Sequence, residues 1–134
     1  MTAVEDDGND GSGRATYSAI PLAPDNAFEA ISNRRRRRVI LSLAHSDDDL
    51  TARELSVELA AIEHTIDPSA VTSEQRTRIY ISLIQNHLQT LDDLGVIDYD
   101  GRSKSASATD ATASLAEVVQ QVTTACYQPG GDDA

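Results

Sequence analysis

The sequence contains a single cysteine, Cys126, among its 134 residues. One cysteine cannot form an internal disulfide, so we expect an intracellular, cytoplasmic protein. No stretch approaches the ~18 apolar residues that a membrane-spanning helix needs, so no membrane association is expected. The first residues, MTAVEDDGNDGSGR, have neither a basic start nor an apolar run and therefore do not resemble a signal peptide.

Sequence signatures of enzymes and of metal sites are also missing. There is no glycine-rich loop of the kind that cradles phosphate, and no cysteine–histidine or serine–histidine pair at a telling spacing. Cys126 and the three histidines are scattered without the spacing of metal ligands. His87 falls near an apolar helix side, which favours a packed histidine bonded to backbone over a ligand. We therefore expect no catalysis, no metal and no other cofactor.

Lysine is nearly absent, since Lys104 is the only one among eleven basic residues. The 22 acidic residues give a formal net charge of −11. Such a surface is typical of proteins from a salt-rich cytoplasm, where the Debye length is only about 3 Å at 1 M salt. A partly disordered acidic protein is the other reading. The apolar content of 40% and the clear periodicity of the central region favour the first.

The first half of the chain changes from a polar tail to helical patterns. Residues 1–24 are rich in Asp, Gly and Ser and are expected to form a disordered acidic tail. Pro24 suits the start of a short helix, and a second helix is expected from Arg34 to His45. Thr51 and Glu54 have the spacing of a capping box, which predicts the start of a third helix.

The second half predicts a long helix followed directly by a β-hairpin. Thr72 and Gln75 form a further capping box, which opens a helix over residues 73–94 that ends at Gly95. Val, Ile and Tyr then begin a strand, so residues 96–109 are expected to form a hairpin. A helix that ends in H-L-x-x-L with a following G-V-I is how the recognition helix of a winged helix-turn-helix meets its wing.

A last amphipathic helix is expected over residues 111–127, before a disordered tail at 128–134. Its apolar residues share one side, and they are Leu115, Val118, Val119, Val122 and Cys126. This helix either forms a homodimer or folds back to complete the core. The fold class is therefore mainly α with a small β-hairpin: a winged helix-turn-helix domain over residues 25–110 plus a C-terminal helix.

The long helix has two contrasting faces. At 100° per residue the apolar residues fall on one side, and they are Tyr80, Ile84, Leu88, Leu91 and Leu94, flanked by Ile81 and Leu83. The opposite side has no acid and supplies the candidates for reading DNA bases: Gln75, Arg78, Ser82, Gln85, Asn86 and Gln89. Amide side chains can bond an adenine edge and Arg can bond guanine, whereas a carboxylate would repel phosphate. The alternative is a solvated, amide-rich helix face.

Five consecutive arginines, residues 34–38, form the only dense block of positive charge. They circle the helix axis, so two or three at most can face one partner. Pairing with nearby acids (Asp47 to Asp49, Glu54 or Glu58) is one interpretation, and contact with DNA phosphate is the one we favour. The candidates for phosphate contact are Arg34, Arg35 and Arg38, with Arg102 and Lys104 at the tip of the wing.

Three segments carry a family resemblance: ISNRRRRRVILSLA (31–44), TARELSVELAA (51–61) and RIYISLIQNHLQTLDDLGVIDYD (78–100). They resemble an uncharacterised winged-helix family of halophilic archaea, catalogued as a domain of unknown function. The first and third are also similar to arsenic-repressor-type regulators. The resemblance covers residues 25–110 and implies a winged helix-turn-helix with a role in transcription. Two departures are a longer connector at residues 65–72 and the absence of the metal-sensing cysteine motif.

Two functions follow from this reasoning. The first is a transcriptional regulator that binds double-stranded DNA as a homodimer, through the 73–94 helix and the 96–109 wing. The acidity opposes this function, because a negative protein repels DNA. Counterion release cannot offset this in concentrated salt, since its contribution falls by about 0.9 log units of affinity per phosphate contact per log unit of salt. The second is a winged helix that docks to a protein partner, such as the transcription machinery, without binding DNA.

Overall fold

The structure is a computed structural model and describes residues 20–126. Of the tail expected at residues 1–24, residues 1–19 lie outside this range, as does the whole tail expected at residues 128–134. The helices are α1 (Pro24–Ile31), α2 (Arg34–Ala44), α3 (Ala52–His64), α4 (Ser73–Ser82), α5 (Leu88–Asp93) and α6 (Asp110–Ala125). The strands are β1 (Leu50–Thr51), β2 (Ile97–Asp100) and β3 (Ser105–Ala108). A 3₁₀ turn, Pro68–Ala70, lies in the connector before α4.

Polar side chains fix the starts of four helices, α2, α3, α4 and α6, where Asn33, Thr51, Thr72 and Thr109 each accept a hydrogen bond from an otherwise unpaired backbone N–H. Asn33 accepts from the N–H groups of Arg35 and Arg36 at the start of α2. Thr51 and Thr72 form the two expected capping boxes, with Glu54 and Gln75 as partners. Both expected capping boxes are confirmed. They could be predicted from the sequence because each is contained within four neighbouring residues.

The long helix is continuous over residues 73–93, but its middle is a π-helical segment, Leu83–His87, that joins α4 to α5. The N–H of Leu88 bonds to the carbonyl of Leu83, five residues back. One additional residue per turn rotates everything after it relative to an ordinary α-helix. The buried residues are therefore Ile79, Leu83, His87, Leu88 and Leu91.

The apolar side expected from a constant 100° step packs against the core, but in the first half of this helix the most deeply buried side is rotated away from it. Tyr80 and Ile84 are only half-buried, whereas Ile79 and Leu83 are fully buried. Ile81, expected beside the apolar side, is 43% exposed.

The sheet has three antiparallel strands in the order β1-β3-β2. The expected hairpin pairs Ile97 with Ala108 and Asp100 with Ser105. The third strand, β1, lies where sequence analysis placed only the approach to a helix, and it pairs Leu50 with Ala106. The first N–H of α3, at Ala52, bonds to the carbonyl of Lys104 at 2.8 Å, so the start of α3 lies beside the hairpin tip.

The C-terminal helix α6 completes the core with its first three turns. Leu115, Ala116 and Val119 are buried, and the hydroxyl of Thr112 donates to the carbonyl of Val96 at 2.6 Å. Val122 is 52% exposed, and every other residue of the helix after Val119 is exposed as well. The single apolar side expected for α6 is therefore correct only in its first part, and the structure shows the core-completing role.

The described chain contacts the core before the boundary expected at residue 25. Ile20 and Leu22 pack against the core, and Leu22 lies against Gly95, whose φ of +86° is the left-handed conformation that glycine adopts readily. The molecule is mainly helical with a small antiparallel sheet and a C-terminal helix, which confirms the fold class and is compatible with a winged helix-turn-helix. Among the described residues, no helix is both long and apolar enough to cross a membrane.

Candidate nucleic-acid interface

Four of the six expected base-reading residues lie on the exposed surface of the long helix. They are Arg78, Gln85, Asn86 and Gln89. The Arg78 side chain is 77% exposed and pairs with Glu74, one turn earlier, at 3.1 Å. An exposed ion pair of this kind contributes only about 0–1 kcal/mol, so Arg78 can exchange Glu74 for another anion. Ile81 and Thr77 share this surface, although sequence analysis did not include them.

The other two, Gln75 and Ser82, are occupied by internal hydrogen bonds. The Gln75 side chain accepts from the N–H of Thr72 at 2.9 Å as part of the capping box. The Ser82 hydroxyl donates to the carbonyl of Ile79 and accepts from Arg35 Nη1 at 3.0 Å. Both are half-buried, so the structure does not bring them together with the exposed four.

The exposed stripe ends beside carboxylates. Asn86 Oδ1 accepts from the hydroxyl of Thr90, and Gln89 donates to both Asp92 and Asp93, at 3.3 and 3.0 Å. Gln85 forms no side-chain hydrogen bond with any described residue. The acid-free part of the helix surface therefore extends from Arg78 to Asn86.

A small basic group lies at the hairpin tip. Arg102 is exposed, and Lys104 donates from Nζ to the carbonyl of Gly101 at 2.8 Å. Arg53 is exposed in the first turn of α3, one residue after the Ala52 N–H that bonds to Lys104. Sequence analysis missed Arg53, because its proximity to the tip depends on the pairing of β1 with β3, two segments more than fifty residues apart.

Acidic residues line one side of the hairpin, and one of them, Asp100, lies next to its tip. Asp49, Asp92, Asp98 and Asp100 line a shallow depression of about 290 Å³. The pKa of Asp100 is lowered, chiefly by the hydrogen bond from the N–H of Arg102. No three metal-ligating side chains among residues 20–126 are arranged to hold an ion. These carboxylates would repel phosphate, so any DNA would contact the tip and not this side.

Arg35 is half-buried and pairs with Glu63 near the end of α3. Its Nε and Nη2 donate to the two carboxylate oxygens at 2.7 and 3.0 Å, and Nη1 donates to Ser82. This bond lowers the pKa of the Glu63 carboxyl and raises the pKa of Arg35. Of the three α2 phosphate candidates, Arg35 is thus already paired. The acid that pairs with it is Glu63, not one of the acids expected from sequence.

The other arginines of α2 face away from the exposed stripe of the long helix. Arg36 donates to the carbonyl of Glu29, and Arg37 donates to the carbonyl of Ile31 at 2.7 Å. Arg34 and Arg38 line a cleft between α2, α3 and α6. No residue of the long helix lines this cleft. The structure therefore does not bring Arg34 and Arg38 together with the expected base-reading residues.

His87 is buried in the π-helical segment, with 7% of its surface exposed. The apolar packing expected for it is confirmed, but its Nδ1 has no hydrogen-bond partner among the described residues, so the expected backbone bond is absent. Burial lowers the pKa of His87 below 6.5, and the positive charges of Arg36 and Arg35 lower it further. His87 is therefore packed in its neutral form.

We expect stability to fall as the pH drops below about 6.5, because the unfolded chain then binds a proton that folded His87 resists. Glu63 acts at lower pH: its stabilising effect is present above 4.5 and is lost as the pH falls further. Thermal unfolding measured from pH 8 to 5 should show a smaller dependence on pH for His87→Gln than for the wild type. His64 is exposed, so His64→Gln is the matched control. If both variants reduced the pH dependence of stability equally, the assignment to His87 would be contradicted.

Comparison with known proteins gives a family but no function. No curated protein and no solved structure matches the chain significantly, so no similarity to arsenic-repressor-type regulators is found. One family model matches residues 28–107, from α1 to β3, and it is described as a domain of unknown function, DUF7344. This match covers more than half of the 134 residues. The expected resemblance to a domain of unknown function is thus confirmed, and the chain belongs to the DUF7344 family.

Proposed function

We propose that this protein is a DNA-binding transcriptional regulator with a winged helix-turn-helix fold. The observation that carries the proposal is the exposed surface of the long helix from Arg78 to Asn86, which has no carboxylate within it and belongs to the helix that runs into the hairpin through Gly95. Arg78 can bond a guanine edge, Gln85 and Asn86 can bond adenine, and Ile81 can contact a thymine methyl group. The whole surface fits recognition of the major groove.

Phosphate contacts are assigned in this proposal to the hairpin tip. Arg102 and Lys104 were expected there, and Arg53 adds a third positive charge. Few phosphate contacts predict a shallow dependence of affinity on salt, because the slope scales with the number of phosphates neutralised. Such a regulator would depend on base contacts, and this is compatible with binding in concentrated salt.

The proposal is tested by selecting fragments of genomic DNA with the purified protein in molar KCl. We expect a few sequences to be enriched. Arg78→Ala and Gln85→Ala should each weaken binding to them by about tenfold to a hundredfold, since a good bidentate base contact contributes about 1–3 kcal/mol. Gln121→Ala, an exposed amide on α6, is the matched control and should bind normally. Equal binding by all variants would contradict reading through the long helix.

Docking to a protein partner is the second candidate function. Two observations favour it: Ile81 is 43% exposed in the middle of the same surface, and four carboxylates border the hairpin. In the same experiment this function predicts that no sequence is enriched by the wild type in molar KCl. It also predicts that the protein binds DNA only weakly at low salt, without preference for sequence.

A further inference from the structure

The cleft between α2, α3 and α6 combines an apolar floor with a cationic rim. Leu41 and Ile62 supply most of the apolar surface, with small exposed parts of the otherwise buried Leu59 and Val119, and the arginines 34, 35, 37 and 38 surround it. Its volume is about 210 Å³, below the ~300–1,000 Å³ typical of sites for drug-sized ligands. The cleft can therefore hold only a small molecule or part of a larger one.

Within residues 20–126, the positive charges around the cleft outnumber the negative ones. Glu63 is the only carboxylate among the described lining residues, and both of its oxygens are occupied by Arg35. Arg37 bonds only to a neutral carbonyl, and Arg34 and Arg38 form no hydrogen bond or close ion pair with residues 20–126. Two guanidinium groups without a hydrogen-bonded partner among the described residues thus lie side by side in a chain whose net charge is −11. A concave site with apolar walls strengthens the attraction for an anion.

We propose that this cleft binds a small amphipathic carboxylate, with its anionic group at Arg34 and Arg38 and its apolar body on Leu41 and Ile62. Guanidinium groups bond carboxylates in a two-pronged geometry, and an aliphatic or aromatic body removes the apolar floor from water. A DNA phosphate would satisfy the arginines but would leave the floor exposed. The combination of floor and rim therefore favours an amphipathic ligand over the nucleic-acid backbone.

The cleft is connected to the long helix through Arg35. This side chain lines the cleft, is paired with Glu63, and donates to Ser82 at 3.0 Å. A carboxylate at Arg34 and Arg38 would repel the Glu63 carboxylate, which also lines the cleft, and would so change the bond from Arg35 to Ser82, which lies one turn after Arg78. The ligand would thereby act as an effector of DNA binding, and this last step rests on the proposed function.

The proposal is tested by calorimetric titration of the full chain in KCl, without DNA, with the straight-chain carboxylates from butanoate to octanoate and with phenylacetate. Alcohols with the same apolar bodies serve as matched ligands. We expect saturable binding of the carboxylates, with affinity rising with chain length until the cleft is filled. The alcohols should bind at least about tenfold more weakly, since they lack the charge-assisted bonds.

Variants then locate the site. Arg34→Gln/Arg38→Gln should bind the carboxylates at least about tenfold more weakly than the wild type, whereas Arg102→Gln at the hairpin tip should bind normally. Circular dichroism checks that each variant is folded. If the double variant does not fold, Arg34→Gln and Arg38→Gln are tested separately. Three results would overturn the proposal: no carboxylate binds the wild type, the alcohols bind equally well, or Arg102→Gln weakens binding as much as the change at Arg34 and Arg38.

The effector role is measured separately, by titrating DNA in the presence of the best carboxylate. A change in DNA affinity in the wild type that is absent from Arg34→Gln/Arg38→Gln would support the connection through Arg35, and an unchanged DNA affinity would overturn the effector role. Because the ligand titration contains no DNA, its outcome is independent of the proposed function. If the protein binds carboxylates but enriches no DNA sequence, the proposed regulatory function is contradicted and the proposed ligand site is supported.

Discussion

Replacing Leu83 with alanine is expected to lower the free energy of unfolding by about 2–5 kcal/mol, the range for a large-to-small change in a packed core. Leu83 is fully buried, and it is the first residue of the π-helical segment. Its removal leaves a cavity between the long helix and the rest of the core, since both ends of this helix are held by the capping box and by Gly95. Urea unfolding at constant KCl measures the change.

Ile81→Ala is the matched variant, because a constant 100° step gives Ile81 and Leu83 equivalent flanking positions. The side chain of Ile81 is 43% exposed, so its truncation should change stability by no more than about 0.5 kcal/mol. Equal losses in the two variants would mean that Leu83 is no more buried than Ile81 and that the buried side of the helix is the one expected from regular periodicity. The pair therefore tests the geometry of the long helix directly.

The elements that sequence analysis located correctly are those with local signals. Thr51 with Glu54, and Thr72 with Gln75, satisfy free N–H groups within a single turn, and Gly95 supplies the positive φ that ends the long helix. By contrast, the π-helical segment has no local signature in the sequence, because its extra residue is accommodated by packing on both sides. The most deeply buried side of the helix therefore differs from the expected one where the core decides it.

The candidate site was predictable to a similar extent. Gln85 was identified correctly as an exposed polar residue, whereas Ser82 proved to be half-buried beneath Arg35. The pairing of Arg35 with Glu63 joins residues 28 positions apart, and sequence reasoning considered only nearer acids. Exposure follows from composition and period, but the partner of a charged side chain depends on how helices cross, and no spacing in the chain encodes that directly.

Removing α6 is expected to abolish cooperative folding. A chain that ends after Thr109 lacks Leu115 and Val119, whose full burial contributes about 1.5–3 kcal/mol each, and it also lacks Ala111 and Ala116. It loses in addition the Thr112 hydroxyl that bonds to the carbonyl of Val96. Together these losses approach the 5–15 kcal/mol that stabilises a typical domain. Thermal unfolding followed by circular dichroism should show no sharp transition.

A chain that ends after Gln120 is the matched control, and it also separates the two roles considered for α6. It retains every buried residue of the helix and removes the exposed part that contains Val122. If α6 only completes the core, the free energy of unfolding of this chain should lie within about 1 kcal/mol of the wild-type value. Light scattering should then show the same oligomeric state for both chains. A folded monomer derived from a dimeric wild type would instead assign the exposed part of α6 to the dimer interface. Cooperative unfolding of the chain that ends after Thr109 would contradict the core-completing role, because the core over β2 and α2 would then be stable without its covering helix.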